Sequence, residues 1–345
     1  MTKQSIQLAF MKISFLISAI LLFGLLPISD PKAAPKCRNV TIIVPYAVGT
    51  ATDLIFRAFG QAINRQSTGS LIKVVNKTHS TVIEENMTAR PDGCQLLGLT
   101  QSLVAKFLLN KSAPEWSSFT PIAMLTRSPL AIVSRANIKD ANLTNLMELA
   151  SEESNRLSVG ETSTPLEQVF RMQLEDVLGV SFKVTNFKNA RQSLVALLTH
   201  KVDLGLVSLP AAKRRADLRQ VKVLAVTDTL ENMRLSDIAT LQEQGVNTAF
   251  GVDRILLAPQ ETPVETVAKV SKRFEKALED PELEERLSKL YTKSRFKNPD
   301  ELTQYFENLT ADWAALKKKM IEICLLYTSD AADERSSVDL GGRRI

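Results

Sequence analysis

Short apolar runs alternate along the chain with longer stretches in which apolar positions recur every three or four residues. The first pattern predicts buried strands and the second amphipathic helices. "VTIIVPY" (40–46) reads as a strand, followed by a helix over about 51–64 with Leu54, Ile55, Ala58, Phe59, Ala62 and Ile63 on one face. "LIKVVN" (71–76) is a strand and "TVIEENMTA" a short helix, and the turn "RPDG" (90–93) leads into strand "CQLLGLT" and helix "SLVAKFLLN". "PIAMLTRSPLAIVSR" supplies extended segments around Pro129. Helices near 143–154, 165–178 and 190–200 alternate with strands 156–160, "FKVTN" and 202–208. Strand 221–227, a helix near 236–244 and strand 253–259 follow, then helical runs over 263–280, 281–290 and 299–320.

Near-continuous apolar strands separated by helices predict an α/β protein with mostly parallel sheets flanked by helices. The chain has 345 residues, 44% of them hydrophobic, which is large for one such sheet and suits two lobes. The ends break the pattern. Met11-Lys12 opens a second plausible start before "ISFLISAILLFGLLPI" (13–28), which is short for a bilayer span and reads as the core of a signal peptide over 1–34. A retained membrane anchor is the alternative. "CLLYTSDAADERSSVDLGGRRI" (324–345) abandons the amphipathic pattern and resembles sequencing-adapter read-through, against a natural tail as the alternative. Setting it aside leaves Cys37 and Cys94, which in an exported chain suggest one disulfide, against two buried thiols.

Charge narrows the chemistry. The formal net charge is +5, and the densest basic runs, Lys213-Arg214-Arg215 and Lys317-Lys318-Lys319, fall on expected helix faces without interleaved aromatics. Nucleic acid is therefore not an expected partner. Only two histidines occur, His79 in the loop "NKTHST" and His200 at a helix end. No nucleophile elbow, phosphate loop or zinc spacing appears, so neither a cofactor nor a metal nor catalysis is expected.

Two helix starts stand out. "TATD" (50–53) and "TPLE" (164–167) carry the capping-box spacing directly after strands, at the carboxyl ends where open α/β folds hold ligands. Spare amides and the partial positive charge of a helix start suit a carboxylate or phosphate. "TPVE" (262–265) and "NPDE" (298–301) have the same spacing with no ligand implied.

Several motifs in order carry a resemblance: Thr41 to Asp53, Pro91 to Gly93, Val202 to Leu204, Leu224 to Thr227, Thr240 to Gly245 and Leu256 to Pro263. The chain resembles the tripartite tricarboxylate transporter receptors, extracytoplasmic solute-binding proteins of the TctC or Bug type, over about 38–320. The resemblance implies a two-lobe periplasmic-binding-protein fold of type II character, with lobe one at 38–140 plus 255–323 and lobe two at 141–254. It implies a periplasmic monomer that closes on a di- or tricarboxylate or an amino acid and docks on membrane transporter subunits or a sensor. By position it places Tyr46, Ala47, Thr50, Thr52 and Asp53 in the first binding loop. Asn76 and His79 lie in and after the next strand end. Gly160, Thr162, Ser163 and Thr164 fall in the opposing loop, with Phe187, Lys188 and Ser208 as walls. The family's glycine-rich turn is here Thr50-Ala51 after a single Gly49, and Asn76 to Val82 replaces another loop motif. A ligand-less interaction protein, or an enzyme using Asp53 and His79, are the alternative functions.

Overall fold

The structure, a computed structural model, describes residues 37–66, 69–110, 113–138, 142–152, 156–162, 164–229 and 238–318. The expected signal segment, Ser163 and the tail 324–345 lie outside these. In chain order the elements begin with β1 (Asn39–Val44), α1 (Ala51–Gln66), β2 (Leu71–Asn76), α2 (Val82–Met87), β3 (Gln95–Thr100) and α3 (Ser102–Leu109). Then come β4 (Phe119–Arg135), α4 (Leu143–Glu152), β5 (Ser158–Thr162), α5 (Pro165–Leu178), β6 (Lys183–Phe187) and α6 (Ala190–Leu198). β7 (Leu204–Ser208), α7 (Leu209–Asp217), β8 (Val221–Val226), β9 (Gly251–Pro259), α8 (Val264–Ala277), α9 (Pro281–Lys289) and β10 (Lys293–Lys297) follow. A last helix, α10, occupies 299–318.

The strands form one sheet in the order β2-β1-β3-β9-β4-β7-β5-β6, with β8 and β10 also paired to β4. The flanks β2-β1-β3 and β6-β5-β7 are parallel, as buried strand–helix alternation requires. The centre is not. β9 runs antiparallel to β3 and β4, and β7, β8 and β10 run antiparallel to β4, so the sheet is mixed rather than mostly parallel. The reason is β4, a single 17-residue strand where two shorter extended segments were expected. It pairs with β9 as far as Pro129↔Gly251 and with β7 from Leu130↔Ser208 onward. Pro129, which has no N–H to give a ladder, thus sits where one set of partners ends and the next begins. Opposite it, a Cβ on Gly251 would lie 2.6 Å from the Ser128 carbonyl oxygen, so the close backbone approach at this crossing admits only glycine.

Register fixes which strand ends meet. Tyr46 follows β1 at the level of Thr100, the last residue of β3, and its hydroxyl lies 2.9 Å from the Thr100 hydroxyl. Thr100 pairs with Arg254 of β9, three residues from Gly251 at the crossing. From the other flank, Ser208 at the end of β7 pairs with Leu130, and β5 runs parallel to β7. The carboxyl ends of both parallel sets therefore point toward the same level of β4.

Helices cover both faces. On one, Ile42, Val44 and Leu256 pack with Phe56 and Phe59 of α1 and Phe274 of α8. Each such aromatic side chain, fully buried, contributes roughly 1.5–3 kcal/mol. The α1 face is rotated from the sequence expectation: Leu54 is 42% exposed and Phe56 is buried. Gly98 of β3 supplies the slot, since a Cβ there would sit 2.9 Å from the Phe56 ring. On the other face α3, α5 and α10 share a core with Leu97, Leu99 and Ile255. Cys37 and Cys94, at the amino ends of β1 and β3, are joined in a disulfide with their α-carbons 5.4 Å apart.

Candidate functional site

The turn after β1 is built around a carboxylate. Asp53, fully buried, accepts from the Gly49 N–H at 2.9 Å, from Arg57 Nε at 2.9 Å and from Asn76 Nδ2 at 2.8 Å. Asn76 also donates to the Tyr46 carbonyl at 3.0 Å and accepts from Arg57 Nη2 at 2.6 Å, so the end of β2 is tied to the same turn. Burial alone would push the Asp53 carboxyl up. The bonds from Gly49, Asn76 and Arg57 outweigh it and hold the group below the usual carboxylate range.

The expected capping box is present in altered form. The Asp53 N–H meets Thr50 Oγ1 at 3.4 Å, but the acid reaches back to Gly49 and not to Thr50. Thr50 turns its hydroxyl to the Ala47 carbonyl at 2.9 Å. Gly49 takes a φ of 83°, the left-handed value that glycine adopts without strain. Among the described residues no acceptor in the chain meets the N–H groups of Val48, Ala51 or Thr52. Ala47, Val48 and Ala51 are exposed, and Thr52 is buried.

The second helix start has the same logic with other residues. Thr164 is the N-cap of α5 and makes no side-chain cap, while Pro165 holds the first helical position as its spacing predicts. Glu167 reaches past the cap to the Thr162 N–H at 2.7 Å, and the Thr162 and Thr164 hydroxyls lie 3.1 Å apart. Behind them Arg171 donates to Glu161 at 2.9 Å and also bonds Glu175. Burial raises the carboxyls of Glu161 and Glu175, and Arg171 opposes the shift without cancelling it. By contrast, Asn298 and Glu301 at the start of α10 form the complete reciprocal box, with bonds of 2.9 and 3.0 Å. The α5 start thus lacks the side-chain cap that Asn298 gives α10, whereas at α1 Thr50 caps the Asp53 N–H and the amides of Ala51 and Thr52 stay open.

The remaining expected site residues separate into two groups. Tyr46 anchors the first turn to β3 and α3 through Thr100 and Ser102. Lys188 and Ser208 are exposed at the ends of β6 and β7, and Phe187 is half-buried. Gly160 lies within β5, where a Cβ would meet Ser193 Oγ at 3.0 Å, Val202 at 3.1 Å and Phe187 at 3.2 Å, so its place is in the packing of α6 on the sheet. His79 is exposed and bound locally, 3.2 Å from the Thr81 hydroxyl and 3.3 Å from Glu85.

Residues at the crossing carry charge that the motifs did not single out. Arg127 of β4 pairs with Asp253 at 2.6 and 2.7 Å and with Asp228 at 3.4 Å, and Tyr305 of α10 donates to Asp253 at 2.5 Å. A cavity of about 360 Å³ opens on this face between α5 and α10, with Gln101, Arg127 and Gly251 at its base. It is lined by no residue of the turns before α1 and α5. The visible sequence signal was two adjacent charges in the apolar strand "DRILLAP".

Comparison with known proteins agrees with this architecture. The family model described as tripartite tricarboxylate transporter family receptor matches residues 55–322. A UPF0065 protein encoded in the TAR-I ttuE–ttuC′ intergenic region of Agrobacterium vitis is 25% identical over 285 residues, covering 80% of this chain and 82% of the relative. Among solved structures, a TctC solute-binding protein from Polaromonas superposes with a TM-score of 0.68 at 22% identity, covering 81% of this chain and 98% of that one. MatC from Rhodopseudomonas palustris, solved with bound malate, gives a TM-score of 0.65 at 23% identity over 81% and 98% of the two chains. The family match spans most of the chain, and the fold likeness accords with it: the protein belongs to the tripartite tricarboxylate transporter receptors and is a solute-binding receptor.

Proposed function

We propose that this receptor captures a small carboxylate, a di- or tricarboxylate or an amino acid, between two lobes and presents it to membrane transporter subunits or a sensor. In this reading it is a periplasmic monomer, exported by the signal over 1–34. Lobe one comprises 38–140 plus 255–323 and lobe two 141–254. The observation that carries the reading is the register: both parallel strand sets end at one level of β4, so the α1 and α5 starts address a common gap. Open amides at Val48, Ala51 and Thr52 on one side, and the α5 start with the Thr162 and Thr164 hydroxyls on the other, are the proposed anion donors. Asp53 and Asn76 hold the first turn in shape and do not themselves face an anion, because chain donors already occupy them.

Each charge-assisted bond to a carboxylate contributes about 1.5–3 kcal/mol. A few from each lobe reach the roughly 8 kcal/mol of micromolar binding after ordering costs. Ligand bound by both lobes favours the closed arrangement, which is the form a partner would recognise. The malate carried by MatC makes four-carbon dicarboxylates the first candidates. No catalysis is part of this reading, since Asp53 is engaged with Arg57 and His79 with Thr81 and Glu85.

Calorimetric titration with malate, succinate, citrate and glutamate, alongside mass spectrometry of gently purified protein, tests the proposal. Micromolar binding or a retained carboxylate is the expected result. An empty protein with no response across the panel would overturn it in favour of a ligand-less interaction protein.

A further inference from the structure

β9 places alternate side chains on opposite faces, and its two charged residues meet opposite fates. Asp253 faces Arg127 and Tyr305. Arg254 shares the face of Leu256, beneath α1, and sits in register with Thr100 of β3 and Thr126 of β4. It is only 3% exposed. Its Nη1 donates to Ser128 Oγ at 2.5 Å and to the Val252 carbonyl at 2.7 Å. Its Nε is covered and meets no acceptor, and among the described residues no carboxylate lies within ion-pairing distance. The hydroxyls of Ser128 and Thr292, 2.5 Å apart, flank it, and the Thr126 hydroxyl in register beside it is also without a partner. A guanidinium stripped of water and given no contacting carboxylate is costly to bury, and buried charges in folded proteins are otherwise paired.

Its place in the fold explains what the charge is for. Thr100, its register partner, bonds the Tyr46 hydroxyl, and Tyr46 opens the turn that carries the amides of the α1 start. Burial lowers the Arg254 pKa to about 10 against the opposing attraction of the neighbouring Asp253 carboxylate, so it stays protonated at neutral pH. A helix start and a buried guanidinium that meets no carboxylate are thus linked through Thr100 and Tyr46.

We propose that Arg254 is the side-chain anchor for one carboxylate of a dianionic solute, whose second carboxylate is met at the α5 start. This rests on the receptor reading above and adds to it a charged selector that main-chain donors alone do not supply. A planar fork of donors recognises a carboxylate in preference to an amide or hydroxyl of the same shape. The solute class is then dicarboxylates, ahead of amides and monoanions.

Titration of the intact protein and of Arg254→Met and Arg254→Lys with succinate, malate, succinamate and sodium sulfate, read by calorimetry and by Tm, tests this. Loss of the anchor should weaken succinate and malate about tenfold or more, with Arg254→Lys between the two. The ligand-free Tm of Arg254→Met should equal or exceed that of the parent, because an unpaired buried charge has been removed. Equal dicarboxylate affinity in parent and Arg254→Met overturns the inference while leaving the receptor reading intact. A lower ligand-free Tm for Arg254→Met, with full affinity in Arg254→Lys, also overturns it and makes Arg254 a structural residue. If the parent responds to no dicarboxylate, the receptor reading falls; a sulfate-induced Tm rise in the parent but not in Arg254→Met would then still support an anion site at Arg254, and its absence would remove both.

Discussion

The two helix starts that follow β1 and β5 are held by opposite electrostatic devices. At α1 a buried carboxylate, Asp53, collects donors from Gly49, Arg57 and Asn76. At α5 a cation, Arg171, is shared by two buried carboxylates, Glu161 and Glu175. The first arrangement satisfies its central charge, and the Asp53 carboxyl is held down. The second crowds two like charges around one partner in a dry setting, and both carboxyls are pushed up. Rigidity of the turn is reached in both cases, but only the first is built from a fully matched set. The α5 side stores an unfavourable ionisation that the α1 side does not.

The widest separation should come from Arg171→Met. Glu161 and Glu175 would lose the only side-chain cation that bonds them among the described residues. Breaking a buried pair from one side costs about 3–5 kcal/mol. Urea unfolding at pH 7.5 should find this loss, and it should shrink at pH 5 as the orphaned carboxylates take up protons. A loss of under 1 kcal/mol at pH 7.5 would mean the triad is solvated and the contrast between the two starts is false.

Asp53→Ala should follow with about 2–3 kcal/mol, since it strands buried donors and part of a cap while the half-exposed Arg57 recovers water. Asp53→Asn, which keeps an acceptor for Gly49, should lose less. Because Asp53 holds the turn, both variants should also weaken any carboxylate bound there, which calorimetry with malate measures.

How far these two starts could be read in advance differs in an instructive way. Strand–helix alternation located both, and the Thr-x-x-acid spacing marked the helix positions to within a residue. Arg57 is four residues from Asp53 and Glu175 four from Arg171, so those pairs follow from helical geometry. Asn76 and Glu161 do not. They reach Asp53 and Arg171 only after β2 and β5 take their places in the sheet, and no local period encodes that. β10, "KSRFK", carries too few apolar residues to announce a strand, and its place beside β4 comes from tertiary pairing. The crossing was hidden for a related reason: Pro129 suggests a break in any local reading, yet β4 runs through it because the pairing partners change at that residue.

A milder perturbation tests whether the α5 side depends on packing as well as charge. Gly160→Ala would set a methyl against Ser193, Val202 and Phe187 at 3.0–3.2 Å, tight but at side chains that can shift. Overpacking of this kind costs about 1–3 kcal/mol, and the lower half of that range is expected here. The bond from Ser193 Oγ to the Gly160 carbonyl, 3.0 Å, is the first to suffer. Chemical denaturation should register the loss with carboxylate affinity changed less than in Asp53→Ala. A larger affinity loss in Gly160→Ala would place Gly160 in contact with ligand and reverse its assignment to the packing of α6.

The smallest effect carries the sharpest sign. A carboxyl whose folded pKa lies below its unfolded value, about 3.9 for Asp, stabilises the fold above that value and loses its contribution as pH falls through the folded pKa. Asp53 is of this kind. A carboxyl whose folded pKa is raised above an unfolded value of about 4.3 contributes most at low pH, and its contribution is lost as pH rises through the folded pKa. Glu161 and Glu175 are of that kind. Each variant should therefore change the slope of its own limb of the stability–pH curve and leave the other limb unchanged. Asp53→Asn should flatten the acid limb below about pH 4 and leave the limb above it alone. Glu161→Gln, uncharged at every pH, should flatten the fall in stability that sets in above about pH 4.3. The same limb altered by both variants would mean the two helix starts titrate as one coupled unit, and the contrast between a matched and a mismatched device would have to be given up.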